Sequence, residues 1–336
     1  MVSSPTMRND EKPLKSSAAV LVLMTAWLQP VFGAGLGPAI DFARPQSLLP
    51  AQYPGASIVC DELRQRHMVS QNQMNDRRRN FFLFDAAERG CIDMIKALIA
   101  EGASVNARDR FGNTALLRAA HAGEDDAVKL LLEKESDLHH QNIAGSTALL
   151  RAVTMNRRRT ARILLSAGAD PNQPNRRSVS PLIAAAYNGN VRMTGLLLES
   201  GARPEPRDAT GKGAMVYAAA KGYPKIVAML LDAGLNVDER YENGLTALMW
   251  AAGHTNDVPV EEGLSTVTLL LERGATLELT EHRGRTALMF AAERGHEEIV
   301  ALLLKAGANR QRKDAEDKTA GDLAASDAVR RLLATD

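Results

Sequence analysis

The seven residues TALLRAA at positions 114–120 decide the fold of this chain, because close copies of them return at a fixed spacing. TALLRAV follows at 147–153, and further copies begin at residues 180, 213, 246, 286 and 319. Successive copies are 33 residues apart, except for one step of 40. A step of 33 back from Thr114 reaches Phe81, where FFLFDAA fits the phrase without its threonine. Self-similarity at one period predicts a repeat architecture.

A second, leucine-rich phrase stays in phase with the first and ends in Gly-Ala, as in LLLESGA at 196–202. Its glycine lies 21 residues after the threonine position in most units, and Glu135 replaces it once. Another glycine follows the threonine by nine residues, with Asn156 in its place in the third unit. We expect the threonine to cap a first short helix, one glycine to separate it from a second antiparallel helix, and the other glycine to end that helix.

Two helices and a β-turn every 33 residues resemble the ankyrin repeat. The resemblance implies an all-α solenoid of helix-turn-helix units joined by β-turns or hairpins. The family phrase usually contains Thr-Pro-Leu-His, but here the proline is kept only at Pro181. Burial must compensate for the hydrogen bonds that the histidine would make between repeats. Apolar residues hold the histidine position, namely Leu117, Leu150, Ile183, Val216, Met249 and Met289.

The repeats also predict the organisation of the chain. Seven units cover residues 81–318, and a shortened eighth unit, 319–336, forms a C-terminal cap. The sixth unit has seven extra residues around His254–Gly263, which we expect to lengthen the turn between its helices. A leading helix is predicted at 58–80, which lacks proline and glycine, and a Pro-rich linker at 34–57. The seven units are 81–113, 114–146, 147–179, 180–212, 213–245, 246–285 and 286–318.

The N-terminus has the pattern of a secretory signal peptide. Three cations, Arg8, Lys12 and Lys15, precede the apolar run 18–28, and small residues follow at the predicted cleavage point. That run is shorter than the ~20 residues a bilayer-spanning helix needs. We therefore expect residues 1–33 to be a signal peptide, with an uncleaved anchor as the alternative. The mature protein is predicted to be exported, periplasmic or else extracellular, without a stable membrane span.

Charge and motif content argue against several classes of function. The chain has 41 Lys and Arg residues against 40 Asp and Glu residues, so it lacks the cationic excess that nucleic-acid binding requires. It contains no His-Glu-x-x-His, Gly-x-Ser-x-Gly or phosphate-loop motif. We therefore predict no catalytic residue, no cofactor, no metal site and no nucleic-acid partner. The adjacent His139 and His140 are interpreted as a solvated turn.

The chain has two cysteines, Cys60 in the predicted leading helix and Cys91 in the first unit. In an oxidising compartment, a disulfide between them would join that helix to the first repeat and add about 3–4 kcal/mol of stability. The sequence does not supply the geometry that a disulfide requires. A bridge and two separate thiols therefore both stay open at this point.

By resemblance to the family, a partner protein would bind the concave surface formed by the first helices and the turn tips. Four residues after the threonine position stand Tyr217, Trp250 and Phe290, which form either an exposed binding stripe or inter-repeat packing. The candidate partner-binding residues are Arg110, Phe111, Arg118, His121, Arg151, Arg176, Arg177, Tyr187, Tyr217, Lys221, Trp250, His282, Arg283, Phe290 and Arg294.

These observations predict a monomeric, non-enzymatic scaffold that binds another protein on its concave face. A signal peptide followed by such repeats resembles periplasmic ankyrin-repeat proteins of bacteria. Some relatives of that kind accompany periplasmic redox or stress enzymes, so an accessory role to a periplasmic enzyme is one hypothesis. The alternative is a secreted effector that binds a host protein.

Overall fold

The structure is a computed structural model that describes residues 55–254 and 258–334. The predicted signal peptide, 1–33, and nearly all of the predicted linker lie outside these ranges. Seventeen α-helices follow one another in the described residues, and no strand is present there apart from an isolated bridge between Arg207 and Gly213. The predicted all-α class is thus confirmed. The helices are α1 (Gly55–Val69), α2 (Asp76–Glu88), α3 (Ile92–Ala100), α4 (Ala115–Ala122), α5 (Asp125–Glu133), α6 (Ala148–Thr154), α7 (Arg158–Ser166), α8 (Pro181–Tyr187), α9 (Val191–Glu199), α10 (Ala214–Ala220), α11 (Pro224–Asp232), α12 (Ala247–Ala252), α13 (Val260–Glu272), α14 (Ala287–Arg294), α15 (Glu297–Lys305), α16 (Ala320–Leu323) and α17 (Asp327–Ala334).

Each repeat contains two helices, which we call the inner helix (the first) and the outer helix (the second). The inner helix α4 packs against its own outer helix α5 and against the inner helices α2 and α6 of the neighbouring repeats. Outer helices likewise pack against outer helices of the adjacent repeats, as α5 does against α7. Contacts therefore run from each repeat to the next one, which is the arrangement of a solenoid.

The inner helices begin as the sequence predicts. The Oγ1 atom of Thr114 accepts a hydrogen bond from the Leu117 N–H at 3.4 Å, and Ser180 Oγ accepts one from the Ile183 N–H at 3.3 Å. Such caps satisfy backbone donors that have no partner inside the helix. Gly213 holds the same place without a side-chain cap. The other capping residues are Thr147, Thr246, Thr286 and Thr319.

Backbone conformation explains the periodic glycines. Gly123 and Gly295 end their inner helices in the left-handed region, with φ of 84° and 76°. The residues that replace such glycines adopt the same conformation, with φ of 57° at Asn156 and 60° at Glu135. The turn geometry therefore persists where the glycine is lost, although a side chain is less favourable in that region.

The core consists of rows of aliphatic side chains shared by neighbouring repeats. Leu197, Leu230 and Leu303 of the leucine-rich phrases are 0% exposed. The apolar residues at the histidine position of the family phrase are also buried, as burial in place of hydrogen bonding requires. These are Leu117, Leu150, Ile183, Val216, Met249 and Met289, each at most 2% exposed.

The predicted single helix at 58–80 is wrong. α1 ends at Val69, a short 3-10 turn follows at Gln71–Gln73, and α2 already begins at Asp76. The side chain of Asn75 explains the new start, because its Oδ1 accepts a hydrogen bond from the Arg78 N–H at 2.9 Å. The break allows α1 to pack against α2, where Leu63 becomes buried.

Cys60 and Cys91 form a disulfide, with their Cα atoms 5.5 Å apart. Cys91 directly precedes α3, so the bridge joins α1 to the outer helix of the first repeat. A second link lies nearby, where the His67 Nε2 and Glu101 Oε2 atoms are 3.0 Å apart. The leading helix is thereby held against the first repeat by one covalent and one polar contact.

The sixth repeat differs from the others in its outer helix. α13 has 13 residues, whereas most other outer helices have nine. Part of the insertion predicted around His254–Gly263 therefore extends this helix instead of only lengthening the turn. α13 and the other helices of the described residues lack the combination of length and apolar character that a membrane crossing requires.

Candidate functional site

Polar side chains five residues before the threonine position shape the hairpin tips of the concave face. The Oδ1 atom of Asp109 accepts hydrogen bonds from the N–H groups of Phe111 and Asn113, both at 2.8 Å. Neighbouring tips are joined through the backbone, for example by Ile143 N donating to Phe111 O at 3.0 Å. Sequence reasoning missed this position, although its residue types recur with the same period: Asp109, Asn142, Asn175, Asp208, Glu281 and Asp314.

Arg118 on α4 is held by two carboxylates from different repeats. Its Nε and Nη2 atoms lie 3.2 and 3.1 Å from Asp109 Oδ2, and its Nη1 lies 2.5 Å from Glu88 Oε2. Burial alone would raise the pKa of Asp109, but hydrogen bonds from Asn113, Phe111 and Arg118 outweigh it and lower that pKa. The charge of Arg118 is thus balanced within the protein.

Arg151 occupies the equivalent position on the next inner helix, α6, and its surroundings are different. It is half-buried, and its Nε is inaccessible to solvent and has no hydrogen-bond partner in the described part of the chain. Burial lowers the pKa of Arg151 from its ordinary value, while Glu88 and Arg118 act on it in opposite directions. Arg118 and Arg151 therefore lie side by side, one paired and the other not.

His121 completes this group one helical turn after Arg118. Its Nδ1 atom is buried and also lacks a hydrogen-bond partner among the residues described. Burial, followed by the charges of Arg151, Arg157 and Arg118, lowers the pKa of His121 to about 4. At neutral pH the imidazole is therefore uncharged. We refer to Arg118, His121 and Arg151 together as the basic cluster.

The aromatic residues of the later repeats are packed between repeats and do not form an exposed stripe. Tyr217 is 4%, Trp250 8% and Phe290 2% exposed. Their candidacy as partner-binding residues is therefore wrong, because side chains on short adjacent helices fill the space between successive repeats. Tyr217 also makes an edge contact with Tyr187, with ring centroids 5.4 Å apart. Tyr187 is half-buried and carries the Lys221 Nζ 4.0 Å above its ring.

The remaining candidates lie at tips and helix ends. Arg110 and Phe111 are exposed at the first tip, where the guanidinium lies 4.6 Å from the ring centroid. His282 is exposed as well, and its N–H donates to Asn243 O at 2.9 Å. The structure does not bring all the candidates into one cluster, since they follow the repeats. The others of this kind are Arg176 and Arg177, which are exposed, and Arg283 and Arg294, which are half-buried.

The histidine pair after the second repeat is not a fully solvated turn. His139 is exposed, but His140 is only 7% exposed, and its Nε2 lies 2.7 Å from Gly112 O. This contact gives His140 a structural role between two hairpins. Over 55–254 and 258–334, no group of three or more His, Cys, Asp or Glu residues is arranged to hold a metal ion.

Comparisons with known proteins agree with this architecture. The family model for ankyrin repeats matches the chain three times, at residues 83–175, 182–260 and 258–336. The crystal structure of the human ASB11 ankyrin repeat domain is similar, with a TM-score of 0.59 and 27% identity over 66% of this chain and 96% of that one. The ankyrin repeat domain of Bcl-3, an IkappaB family member, has a TM-score of 0.57 and 28% identity over 67% of this chain and 99% of that one. A search of curated proteins gave no match. Because the family model covers most of the sequence, the chain belongs to the ankyrin-repeat family.

Proposed function

We propose that this chain is an exported, non-enzymatic scaffold that holds a partner protein on its concave face, as an accessory to a periplasmic enzyme. Ankyrin-repeat architecture indicates a protein–protein interaction scaffold. The observation that carries the proposal is the row of accessible side chains at the hairpin tips and inner-helix ends, from Arg110 to His282. The hydrogen bonds between tips hold these side chains at regular intervals, and such a preformed surface loses little entropy on binding.

Export is proposed on two independent features of the chain. The first is the signal-peptide pattern of residues 1–33. The second is the Cys60–Cys91 disulfide, because disulfides persist in oxidising compartments and are rare in the cytosol. N-terminal sequencing of protein isolated from the producing cells, together with alkylation of free thiols, tests this point. We expect a new N-terminus near residue 34 and no free thiol; an intact Met1 with two reactive cysteines would contradict export.

The binding function is tested by affinity capture with the mature repeats as bait. We expect one stoichiometric protein from a periplasmic extract, which elutes with wild-type bait but not with an Arg110→Glu/Arg176→Glu double variant on the tips. The matched control is Arg162→Glu, which places the same charge change on the exposed side of the outer helix α7. Partners found only in a host-cell lysate would favour the alternative, a secreted effector. Equal capture by tip and control variants would overturn the concave-face assignment.

A further inference from the structure

Arg151 is a half-buried cation without the partners that comparable arginines have. Arg285, buried near the other end of the repeats, is paired with Glu293 at 3.0 Å and with Asp314 at 3.3 Å. No described residue forms an ion pair or a hydrogen bond with the Arg151 side chain. Removing a guanidinium from water without pairing it is unfavourable. Arg151 therefore presents unused donors on the concave face.

The nearest carboxylates do not satisfy Arg151, because they are already engaged. Glu88 and Asp109 both influence the charge of Arg151, but each of them contacts Arg118 directly. His121 lies beside Arg151 with its buried Nδ1 also unsatisfied by the described residues. Two adjacent side chains thus have polar atoms that are removed from water and have no partner within the protein.

We propose that Arg151 and His121 form the receptor for a single carboxylate side chain, an aspartate or glutamate of the partner protein. This inference rests on the proposed scaffold function and names the group that the concave face recognises. A guanidinium presents parallel N–H donors that match the two oxygens of a carboxylate. The imidazole adds one further hydrogen bond, and an uncharged imidazole is sufficient for that.

Charge balance favours a carboxylate over a phosphate. Arg118 and Arg151 supply two positive charges at this place, and Glu88 and Asp109 supply two negative ones. A dianionic phosphate would therefore meet stronger repulsion from the two acids than a singly charged carboxylate. Three exposed apolar side chains belong to the same repeats, namely Phe111, Ile143 and Met155, at 45%, 57% and 40% exposure. They suit a partner segment in which the acidic residue has apolar neighbours.

The test uses the mature protein with ¹⁵N-labelled arginine and N-acetylglutamate methylamide as the probe. We expect a saturable shift of the Arg151 Nε–Hε resonance, assigned by its loss in Arg151→Met. The neutral isostere N-acetylglutamine methylamide should produce no such shift. Arg151→Lys, which keeps the charge and loses the fork, should bind the probe several-fold more weakly. Arg162→Met, on the exposed part of α7, should leave the binding unchanged.

Two results overturn the inference. One is the absence of a saturable shift at Arg151, and the other is equal displacement by inorganic phosphate, which would indicate nonspecific anion attraction. The outcome is separable from that of the scaffold proposal. A captured partner that binds wild type and Arg151→Met equally leaves the scaffold intact and removes the carboxylate receptor. Probe binding without any captured partner leaves the receptor intact and removes the scaffold.

Discussion

Tyr217 donates a hydrogen bond from its hydroxyl to Asp208 Oδ2 at 2.5 Å, and both side chains are buried. The other oxygen of Asp208 accepts from the Thr210 N–H at 2.8 Å and the Lys212 N–H at 3.2 Å. Burial, reinforced by the hydrogen bond to Asp208, raises the pKa of Tyr217. The phenol therefore stays a donor, and one carboxylate links inner helix α10 to the hairpin that precedes it.

Replacement of Tyr217 by phenylalanine should lower the free energy of unfolding by about 1–3 kcal/mol, because it leaves a buried carboxylate oxygen without its donor. Urea denaturation followed by circular dichroism measures the change. Tyr241→Phe is the matched control, since Tyr241 is also buried but its hydroxyl forms no hydrogen bond within the described residues. Similar losses in the two variants would show that the hydrogen bond to Asp208 contributes little.

The Cys60–Cys91 disulfide should stabilise the leading helix specifically. Its removal by the Cys60→Ser/Cys91→Ser double substitution is expected to cost about 3–4 kcal/mol for a loop of this length. Hydrogen exchange should show the loss first in α1 and α3, because each repeat contacts mainly its neighbours. A reducing agent should destabilise the wild type and leave the double variant unaffected. Uniform loss of protection across all repeats would contradict this local role.

Periodicity predicted the part of the fold that depends on local sequence. Threonine caps and left-handed turns are set by residues within a few positions of one another, so Thr114 and Gly123 identify their structures from sequence. The break after Val69 was missed because no proline or glycine marks it, and a lone Asn75 cap is a weak signal. The disulfide depends on that break, since α1 must turn back to bring Cys60 to Cys91.

The candidate site was predicted only in part, because it depends on competition among side chains in space. Equivalent positions carry Arg118, Arg151 and Trp250, and their environments differ although the repeat is the same. A long charged side chain can keep its guanidinium near the surface, whereas an aromatic ring fills the gap to the next repeat. The sequence did not show that Glu88 and Asp109 would both pair with Arg118 and leave Arg151 without them.

Replacing Glu135 with glycine should stabilise the protein. The φ of Glu135 is 60°, in the left-handed region, where a side chain costs about 1–2 kcal/mol, and glycine avoids that cost. The greater freedom of glycine in the unfolded chain offsets about 0.4–1 kcal/mol of the gain. We therefore expect a net increase of roughly 0.5–1 kcal/mol in the free energy of unfolding, measured by urea denaturation.

The matched control for that change is Lys134→Gly. Lys134 is the preceding residue, is also exposed and has an ordinary φ of −93°. Glycine there gains no relief of strain and only adds freedom to the unfolded chain, so this variant should lose about 0.5–1 kcal/mol. If both variants lose stability, the left-handed conformation at residue 135 costs less than the entropy that glycine adds.

His121 should make the protein less stable in mild acid. Its pKa is about 4 in the folded protein, against 6.5 for the free side chain, so the unfolded state binds more protons between these values. The free energy of unfolding therefore falls as the pH drops from about 6.5 through 4, and His121→Asn should flatten part of this decline. Urea denaturation at pH 7.5, 6 and 5 measures it. His296 has a lowered pKa as well, chiefly because it is buried, so some decline should remain. The exposed His139→Asn variant should follow the wild type, and an identical profile in His121→Asn would mean that the imidazole gains its proton without cost to the fold.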